Sequence, residues 1–437
     1  MLEQYPGVHV EVTTDDGEVN SHYLSHVAAA AEQGLEATED IVSQNGTKLL
    51  RRGARVDAAA CEKLLAHKLR KPLEQCVQAG SGVKAEELEP LCAAWIERSP
   101  LLASLAADPR AQALPASLGR TRLSVPVQSM LTLYARCAEG RLDHAAGVAG
   151  FALALARRVR PGDVDFHRLV SLAALLHDVG ELYIDPAILQ RDASLEPGQW
   201  RQVAAHPVLA GKVLAPMEGA GAQVAEAVAL HHERIGGLGY PRGTQALALS
   251  GQIVGAAEWM VGQLESGICA SMQTRVAARL VPGEFDVPII AALTPAQPAD
   301  GADDECPLMP PAQLLPRLRE IGGFIDRFVN TRDWIGERID SARGESRRTL
   351  EAALARLQRI QTGFARSGLN AIAAGSLDAE FERPEATPWR VEAQMAVGEL
   401  EWRIREFRRE LRLRDALVAD DAQGDLGALL ERLETTA

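Results

Sequence analysis

Histidines and carboxylates in the middle of this chain are the residues whose types and spacing point to chemistry. His177 and Asp178 are neighbours at the end of the apolar run Leu175-Leu176, and further histidines precede and follow them. Imidazole nitrogens and carboxylate oxygens together form a ligand set for hard to borderline transition metals. A cluster of this kind predicts a metal-dependent hydrolase that acts on phosphate esters.

Hydrolysis of a phosphodiester requires a nucleophile at neutral pH and a means of absorbing negative charge, and two metal ions about 3.5–4 Å apart supply both. Asp178 is the natural bridge, because a carboxylate can bind one metal through each oxygen. Any one of the candidate ligands could equally be a packed or surface residue, but all of them in one helical block favour a binuclear site. The candidates are His144, His177, Asp178, His206, His231, His232 and Glu258.

The segments that carry these ligands are predicted to be consecutive helices. Asp185-Pro186 and Glu196-Pro197 each predict a helix start, with the acidic residue as N-cap and the proline at the first helical position. A glycine-rich loop over residues 236–243 follows the last histidine pair. Apolar residues recur at helical spacing in four segments, 142–158, 166–177, 222–233 and 247–264.

The order of these motifs resembles the HD-GYP family, a branch of the HD phosphohydrolase superfamily. The resemblance implies an all-helical domain that binds two or three iron or manganese ions and hydrolyses cyclic di-GMP or another cyclic dinucleotide. It also makes the seven candidates metal ligands and places His177 and Asp178 at the catalytic centre, with Glu258 where the family usually has aspartate. The matching residues are His177-Asp178-x-Gly180, His206-Pro207, His231-His232-Glu233-Arg234 and Gly239-Tyr240-Pro241-x-Gly243.

Departures from the family pattern mainly concern the substrate rather than the metals. Glu181 stands where the family has a lysine that contacts a substrate phosphate, so an anion replaces a cation. Gly140 stands where members with three metals carry glutamate, so we expect two metals. The other side chains that we assign to substrate binding are those of Arg234, Tyr240 and Arg242. We expect Glu181 to weaken the turnover of cyclic di-GMP and Glu181→Lys to raise it.

Three hypotheses for the function follow from these residues. The first is a binuclear phosphodiesterase that acts on cyclic di-GMP or a relative in bacterial signalling. The second is a catalytically degenerate HD-GYP domain that binds a nucleotide or metal and signals to a protein partner. The third is a helical interaction scaffold. Metal content separates the third hypothesis from the other two, and turnover with bound metal separates the first from the second.

The length of 437 residues fits two to three domains, at about 150 residues each. Aromatic residues make up only 4% of the chain, so alanine and leucine do most of the packing, which favours helices over strands. We expect a mostly α fold in four segments. They are a small α/β or helical N-terminal domain of unknown role over 1–125, an all-helical HD-type domain over 126–294, a linker over 295–312, and a helical hairpin or coiled coil over 313–437.

Apolar residues three and four apart mark two long helices near the C-terminus, over 350–364 and 397–411. This seam is compatible with an intramolecular antiparallel hairpin and with a homodimer. The second helix also carries six arginines between 403 and 414. They form either a basic contact patch or a solvated face paired with Glu406 and Glu410.

Charge and composition exclude other classes. The net charge of −13 argues against a surface for nucleic acid polymers. No apolar run reaches the length of about 18 residues that a membrane span needs, and the N-terminus lacks the features of a signal peptide. The six cysteines include no Cys-x-x-Cys pair and are expected to be buried free thiols. We therefore expect a cytoplasmic protein.

Overall fold

The computed structural model is mostly α-helical over the residues that it describes, with four short strands among them. This confirms the fold class predicted from composition. The described residues are 19–30, 35–80, 82–111, 113–189, 195–235, 237, 239–244, 246–265, 284–293, 308–383, 387–415 and 423–434. Most of the expected linker lies outside them.

The chain divides into two compact units, whose limits differ from those of the four segments expected from the sequence. The first unit contains the described residues up to Glu233, together with Gly239–Arg242 and Ala246–Gly262. The second contains the remaining described residues of the loop and of the C-terminal region. The N-terminal region and the helices that carry the predicted ligands therefore belong to one unit, and the domain limits stay a prediction.

Short strands and helices alternate in the N-terminal part of the first unit. They are α1 (Ser21–Ala30), β1 (Leu35–Ala37), β2 (Ile41–Val42), β3 (Lys48–Leu50), α2 (Ala58–Leu65) and β4 (Val77–Ala79). β1 pairs antiparallel with β4, with Leu35 opposite Ala79, and β2 pairs antiparallel with β3. Asp57 begins α2, because its carboxylate accepts the backbone N–H of Ala60.

The rest of the first unit is helical. Its helices are α3 (Leu88–Arg98), α4 (Pro100–Ala106), α5 (Leu114–Gly119), α6 (Val125–Cys137), α7 (Arg141–Val159), α8 (Val164–Leu175), α9 (Pro197–Ala204), α10 (His206–Leu214), α11 (Gly221–Ala229) and α12 (Leu249–Glu265). A 3-10 turn, Val179–Tyr183, follows α8. α11 ends four residues before the predicted limit of 233, so His231 and His232 follow this helix instead of lying within it.

Of the two predicted helix starts, one is confirmed. Glu196-Pro197 opens α9 with a capping box. Over the described residues 185–189, Asp185-Pro186 begins a turn and not a helix, so that prediction was wrong. The carboxylate of Asp185 accepts the backbone N–H of Ala187 at 2.9 Å, and two successive backbone bonds follow, from Ile188 to the carbonyl of Asp185 and from Leu189 to the carbonyl of Pro186.

Small residues let α7 pack closely in the core of the first unit. Its residues from 145 to 156 are all buried. A Cβ on Gly147 would lie 2.4 Å from Cε2 of Trp95, so only glycine fits at this contact. Trp95 Nε1 also donates to the carbonyl of Asp143 at 2.8 Å. These contacts fix the first turns of α7, where a predicted ligand lies, against α3.

The second unit is helical, and its helices from residue 311 onward share an apolar core. They are α13 (Val287–Leu293), α14 (Pro311–Ser341), α15 (Gly344–Arg366), α16 (Leu369–Ala373), α17 (Asp378–Phe381), α18 (Thr387–Asp415) and α19 (Gln423–Glu434). The apolar residues of the predicted seam on α15 and α18 are largely buried in this core, with residues of α14 and α19. Helices of the same chain cover the seam, so it gives no reason to expect a homodimer.

Some of the arginines of α18 form the solvated face that was one of the two alternatives for this helix. Arg409 pairs with Glu406 at 2.6 Å near the surface. Arg403 departs from that alternative, because its side chain is only 4% exposed and lies between Glu284 and Glu399. Burial of this arginine requires carboxylate partners inside the unit. Helical spacing indicates Glu399, four residues earlier, but not Glu284, which lies 119 residues away.

Composition also led to expectations about membranes and cysteines. Among the described residues, no helix has both the length and the hydrophobicity needed to cross a bilayer. Cys61, Cys76, Cys92 and Cys137 are free thiols, and the first three are buried. Burial raises the pKa of Cys61 to about 11 and the pKa of the other three to about 12. The remaining two cysteines lie outside the described residues.

Candidate metal centre

The seven predicted ligands come from five helices or the turns directly after them, all in the first unit. They are His144 in α7, His177 and Asp178 after α8, His206 at the start of α10, His231 and His232 after α11, and Glu258 in α12. Because these positions span more than a hundred residues of chain, only the tertiary fold can bring them together.

The carboxylate of Asp178 lies between two pairs of imidazoles. Its Oδ2 is 3.1 Å from Nε2 of His177 and 3.9 Å from Nε2 of His144. Its Oδ1 is 3.2 Å from Nε2 of His206 and 3.8 Å from Nε2 of His231. Each oxygen faces a different pair of histidines, which is the arrangement that a bridging carboxylate requires.

Backbone carbonyls fix the orientation of three of these imidazoles. In each case Nδ1 contacts the carbonyl oxygen three residues earlier. The contacts are His177 with Ala174 at 2.8 Å, His206 with Val203 at 2.7 Å, and His231 with Val228 at 2.5 Å. Because a carbonyl accepts hydrogen bonds only from a donor, Nδ1 carries the proton and Nε2 is directed at the centre.

The Nε2 atoms approach one another closely enough to need a proton or a cation between them. Nε2 of His144 is 3.3 Å from Nε2 of His177, and Nε2 of His206 is 3.2 Å from Nε2 of His231. Nitrogen and carboxylate oxygen donors without sulfur fit a divalent transition metal. Ligand atoms lie within 4.8 Å of one another in two sets, His144, His177 and Asp178, and Asp178, His206, His231 and His232.

The charges of the centre suit metal ligands. Burial would raise the pKa of Asp178, but His177 and His206 lower it well below its usual range. Burial and the charges of His206 and His177 hold the pKa of His231 well below its ordinary value. Burial would also lower the pKa of His177, but the Asp178 carboxylate raises it to about 9. Metal binding therefore finds an ionised carboxylate and a neutral His231, and it must displace the proton of His177.

Glu258 keeps a carboxylate beside the histidine pair after α11. Its Oε1 is 3.4 Å from Nε2 of His232, and its Oε2 is 3.6 Å from Nε2 of His231. The longer side chain therefore reaches the imidazoles from α12. Its role as a metal ligand stays a prediction.

Tyr240 lies against the histidine pair. Its ring stacks on His232 with centroids 4.4 Å apart, and it meets Trp200 edge-on at 5.4 Å. The backbone N–H of Tyr240 donates to the carbonyl of His232 at 3.2 Å. The buried carboxylate of Glu233 accepts the backbone N–H of Arg242 at 2.8 Å. These bonds hold the loop residues that were predicted to bind substrate beside the centre.

Arg234, the other arginine assigned to the substrate, belongs to the second unit. Its guanidinium carbon lies 4.9 Å from the ring centroid of Phe285. The backbone N–H of the next residue, Ile235, donates to the carbonyl of Glu284 at 3.1 Å. Arg234 thus has packing contacts within that unit, and its contact with a substrate stays a prediction.

Glu181 has a cationic partner that was not predicted from the sequence. It forms an ion pair with Arg141, whose Nη1 also donates to the hydroxyl of Tyr134 at 3.2 Å. That hydroxyl donates to Oδ2 of Asp178 at 3.3 Å. Burial and the charge of Asp178 raise the pKa of Glu181, and Arg141 partly offsets them. A cation three residues before His144 therefore balances the charge reversal at residue 181.

Sequence reasoning missed Tyr134 and Arg141. Arg141 had a signal, because it lies three positions before His144 and a helix places both on one face. Tyr134 had none, since its contact with Asp178 joins residues 44 positions apart. Glu233 was part of the quoted motif, but its role in holding the loop was not foreseen.

Comparison with known families identifies the domain that contains this centre. The family described as "HD domain" matches residues 114–258. The chain carries an HD domain. The matched range includes all seven predicted ligands and ends at Glu258.

Named relatives point the same way. A 3′3′-cGAMP-specific phosphodiesterase of Vibrio cholerae is 26% identical over 242 residues, which is 51% of this chain and 51% of the relative. A cyclic di-GMP phosphodiesterase of Pseudomonas aeruginosa is 34% identical over 100 residues, 23% of this chain and 24% of the relative. A cyclic di-GMP phosphodiesterase response regulator of Xanthomonas campestris is 31% identical over 121 residues, 27% and 30% respectively.

These matches confirm the resemblance to the HD-GYP family. The chain spans about half the length of the first relative and less than a third of the other two. A solved HDG"Y"P protein from Bdellovibrio bacteriovorus aligns at 16% identity with a TM-score of 0.32, over 59% of this chain and 94% of that chain. At that similarity it adds nothing to the fold described above.

Proposed function

We propose that the HD domain binds two divalent transition metals, iron or manganese, and hydrolyses a phosphodiester bond of cyclic di-GMP or a related cyclic dinucleotide. The names of the relatives support this class of substrate. Dinucleotides of this kind are bacterial signals, so the proposed reaction takes place in the cytoplasm.

The placement of Asp178 is the observation that carries the proposal. Its two oxygens face separate pairs of histidines whose Nε2 atoms all point at the same small volume. A single metal would need only one side of the carboxylate. Histidines on both sides therefore support two metals that share this bridge.

The bound metals would supply a nucleophile derived from water at neutral pH and neutralise charge on the phosphate. The chain itself orients the ligands through the carbonyl contacts of their Nδ1 atoms. Tyr134 holds Oδ2 of Asp178 through its hydroxyl. The ring of Tyr240 packs on His232, and we expect its hydroxyl-bearing edge to contact the dinucleotide beside the centre.

The test is metal analysis and hydrolysis with matched variants. After anaerobic purification and reconstitution, we expect about two metal ions per wild-type chain and hydrolysis of cyclic di-GMP or cGAMP. Asp178→Asn should bind under about half of the wild-type metal and lose activity at least about a hundredfold. Asp165→Asn, a change at an exposed carboxylate of α8, is the control and should match wild type.

Wild type with less than about half a metal ion per chain after reconstitution would contradict the binuclear centre. Full metal content with no turnover of any cyclic dinucleotide would instead favour a second candidate. That candidate is a degenerate domain that binds the dinucleotide and signals to a protein partner. The observation that favours it is Glu181, which stands where the resemblance to the HD-GYP family places a lysine that contacts phosphate.

A further inference from the structure

We infer that Arg141 is the side chain of this HD domain that binds a phosphate group of the substrate, and that Glu181 and Tyr134 hold its guanidinium in position. The inference rests on the proposed function, because it assigns a residue to the proposed phosphodiester substrate. It concerns a residue that the sequence motifs did not single out.

The guanidinium of Arg141 lies at the edge of the metal centre. Arg141 is the first residue of α7, directly after Gly140, whose φ of +83° turns the chain into the helix. Nη1 pairs with Glu181 and donates to Tyr134, and the guanidinium carbon lies 5.2 Å from the ring centroid of Tyr134. Since Tyr134 itself contacts Asp178, one side chain separates the guanidinium from the bridging carboxylate.

Part of the guanidinium remains able to bind a ligand. Within the described residues, both polar contacts of Arg141 use Nη1, so Nη2 and Nε can donate to a ligand. The side chain is 23% exposed, which gives solvent and solutes access to it. A planar guanidinium with two parallel N–H groups matches two oxygens of a phosphate.

Its contacts also keep Arg141 charged and oriented. Burial would lower its pKa, but Tyr134 and Glu181 raise it above the ordinary value for arginine. A long flexible side chain usually loses rotamer freedom when it binds a ligand. Glu181 and Tyr134 already impose that restriction, so Arg141 can bind an anion with little further ordering.

The alternative is that Arg141 serves only to neutralise Glu181. The two roles differ in what happens when both charges are removed. If Arg141 only neutralises, a variant without either charge binds substrate as wild type does. If Arg141 binds phosphate, the same variant stays weak, because the cation is lost whatever stands at residue 181.

The experiment measures equilibrium binding of the bisphosphorothioate analogue of cyclic di-GMP to the full chain with verified metal content. We expect Arg141→Ala to weaken binding about 10- to 100-fold, the range for one charge-assisted hydrogen-bonded contact. The double variant Arg141→Ala/Glu181→Ala should stay within about threefold of Arg141→Ala. Glu181→Gln keeps the cation but weakens the ion pair that positions it, so it should bind the analogue more tightly than Arg141→Ala and less tightly than wild type.

Arg98→Ala is the matched control. Arg98, in α3, forms an ion pair with Asp143 of α7, the helix that also carries Arg141, and this pair is more exposed than that of Arg141 and Glu181. The control variant should bind the analogue as wild type does. If Arg141→Ala folds poorly, as judged by thermal melting, Arg141→Lys replaces it. That variant keeps the charge but not the planar pair of donors, and we expect about 3- to 10-fold weaker binding.

Recovery of binding in the double variant, or wild-type binding by Arg141→Ala, would overturn the inference and leave the proposed function intact. Failure of metal-loaded wild type both to bind the analogue and to hydrolyse cyclic di-GMP or cGAMP would overturn the proposed function, and the inference with it. The first failure appears only in the variants and the second already appears in wild type, so the two can be told apart.

Discussion

Gly180 lies where the turn after Asp178 touches the start of α10, and Gly180→Ala should damage the metal centre. A Cβ at this position would lie 2.0 Å from the carbonyl oxygen of His206 and 3.0 Å from the backbone nitrogen of Ala210. Ordinary contacts of a Cβ begin at 3.4 Å, so the turn and the helix would have to separate by more than 1 Å. Both neighbours are backbone atoms, which cannot rotate away.

Separation of that size acts directly on two ligands. Oδ1 of Asp178 and Nε2 of His206 are 3.2 Å apart, and they lie on the two pieces of backbone that the added methyl group would drive apart. Overpacking of this kind costs about 1–3 kcal/mol, and we expect about 3 kcal/mol here because nothing flexible can absorb the clash. For a unit of this size that corresponds to a fall in Tm of about 6–12 °C.

The assay is thermal melting with and without manganese, together with the metal content of Gly180→Ala. We expect Gly180→Ala to show the lower Tm and to bind less than about half as much metal as wild type. Adding manganese should raise its Tm by less than it raises that of wild type. Gly262→Ala is the control, because a Cβ there meets no atom of the described residues within 4 Å, and α12 should gain up to about 1 kcal/mol. If Gly180→Ala keeps its metal and melts within about 1 °C of wild type, the close approach has no role in the centre.

Two further predictions concern buried charges away from the metals. Burial raises the pKa of Glu74, which accepts a hydrogen bond from Tyr183 at 2.7 Å. The folded state therefore keeps a proton that the unfolded state releases above about pH 4.5, and stability should fall as the pH rises from there through the raised pKa. Tm measured from pH 4 to 8 should decline more in wild type than in Glu74→Gln, and parallel curves would contradict this. Arg403→Ala leaves the buried Glu399 without its partner and should lower the free energy of unfolding by about 3–5 kcal/mol in a urea titration. Arg409→Ala, at a more exposed pair, is the control and should lower it by less than about 1 kcal/mol. Similar losses in both variants would contradict a structural role for the buried pair of Arg403 and Glu399.

The candidate residues of the centre could be picked out from the sequence because their chemistry is local. His177 and Asp178 are adjacent, and His231 and His232 form a second adjacent pair, so each motif carries its own nitrogen or oxygen donor atoms. The helices that carry them were also predictable, since apolar spacing reports the buried face of a helix directly. What periodicity cannot report is which partner covers that face. The seam on α15 and α18 was equally compatible with a homodimer, and only the fold shows other helices of the chain on it.

Local signals failed where a side chain had two options of similar energy. Asp185 before proline can cap a helix or close a turn, and no neighbouring residue in the sequence favours one of these conformations over the other. Arg403 follows the spacing of a solvated arginine, yet its carboxylate partner Glu284 lies 119 residues away. Charge pairs that depend on tertiary contacts of this kind cannot be read from spacing along one helix.

Glu181 shows the consequence of such a pair for a specific substitution. From the sequence, Glu181→Lys replaces an anion near a phosphate with a cation and should raise turnover. In the structure the lysine would face Arg141, and two like charges about 4 Å apart repel by about 4 kcal/mol at an effective dielectric near 20. Since both side chains are partly exposed, we expect a loss of about 2–4 kcal/mol in the free energy of unfolding. Glu181→Gln removes the attraction without adding repulsion and should cost less, so urea titrations of the two variants separate the effects. A lysine variant as stable as the glutamine variant would mean that Arg141 can turn away from residue 181, and the argument that Glu181 holds it in place would then fail.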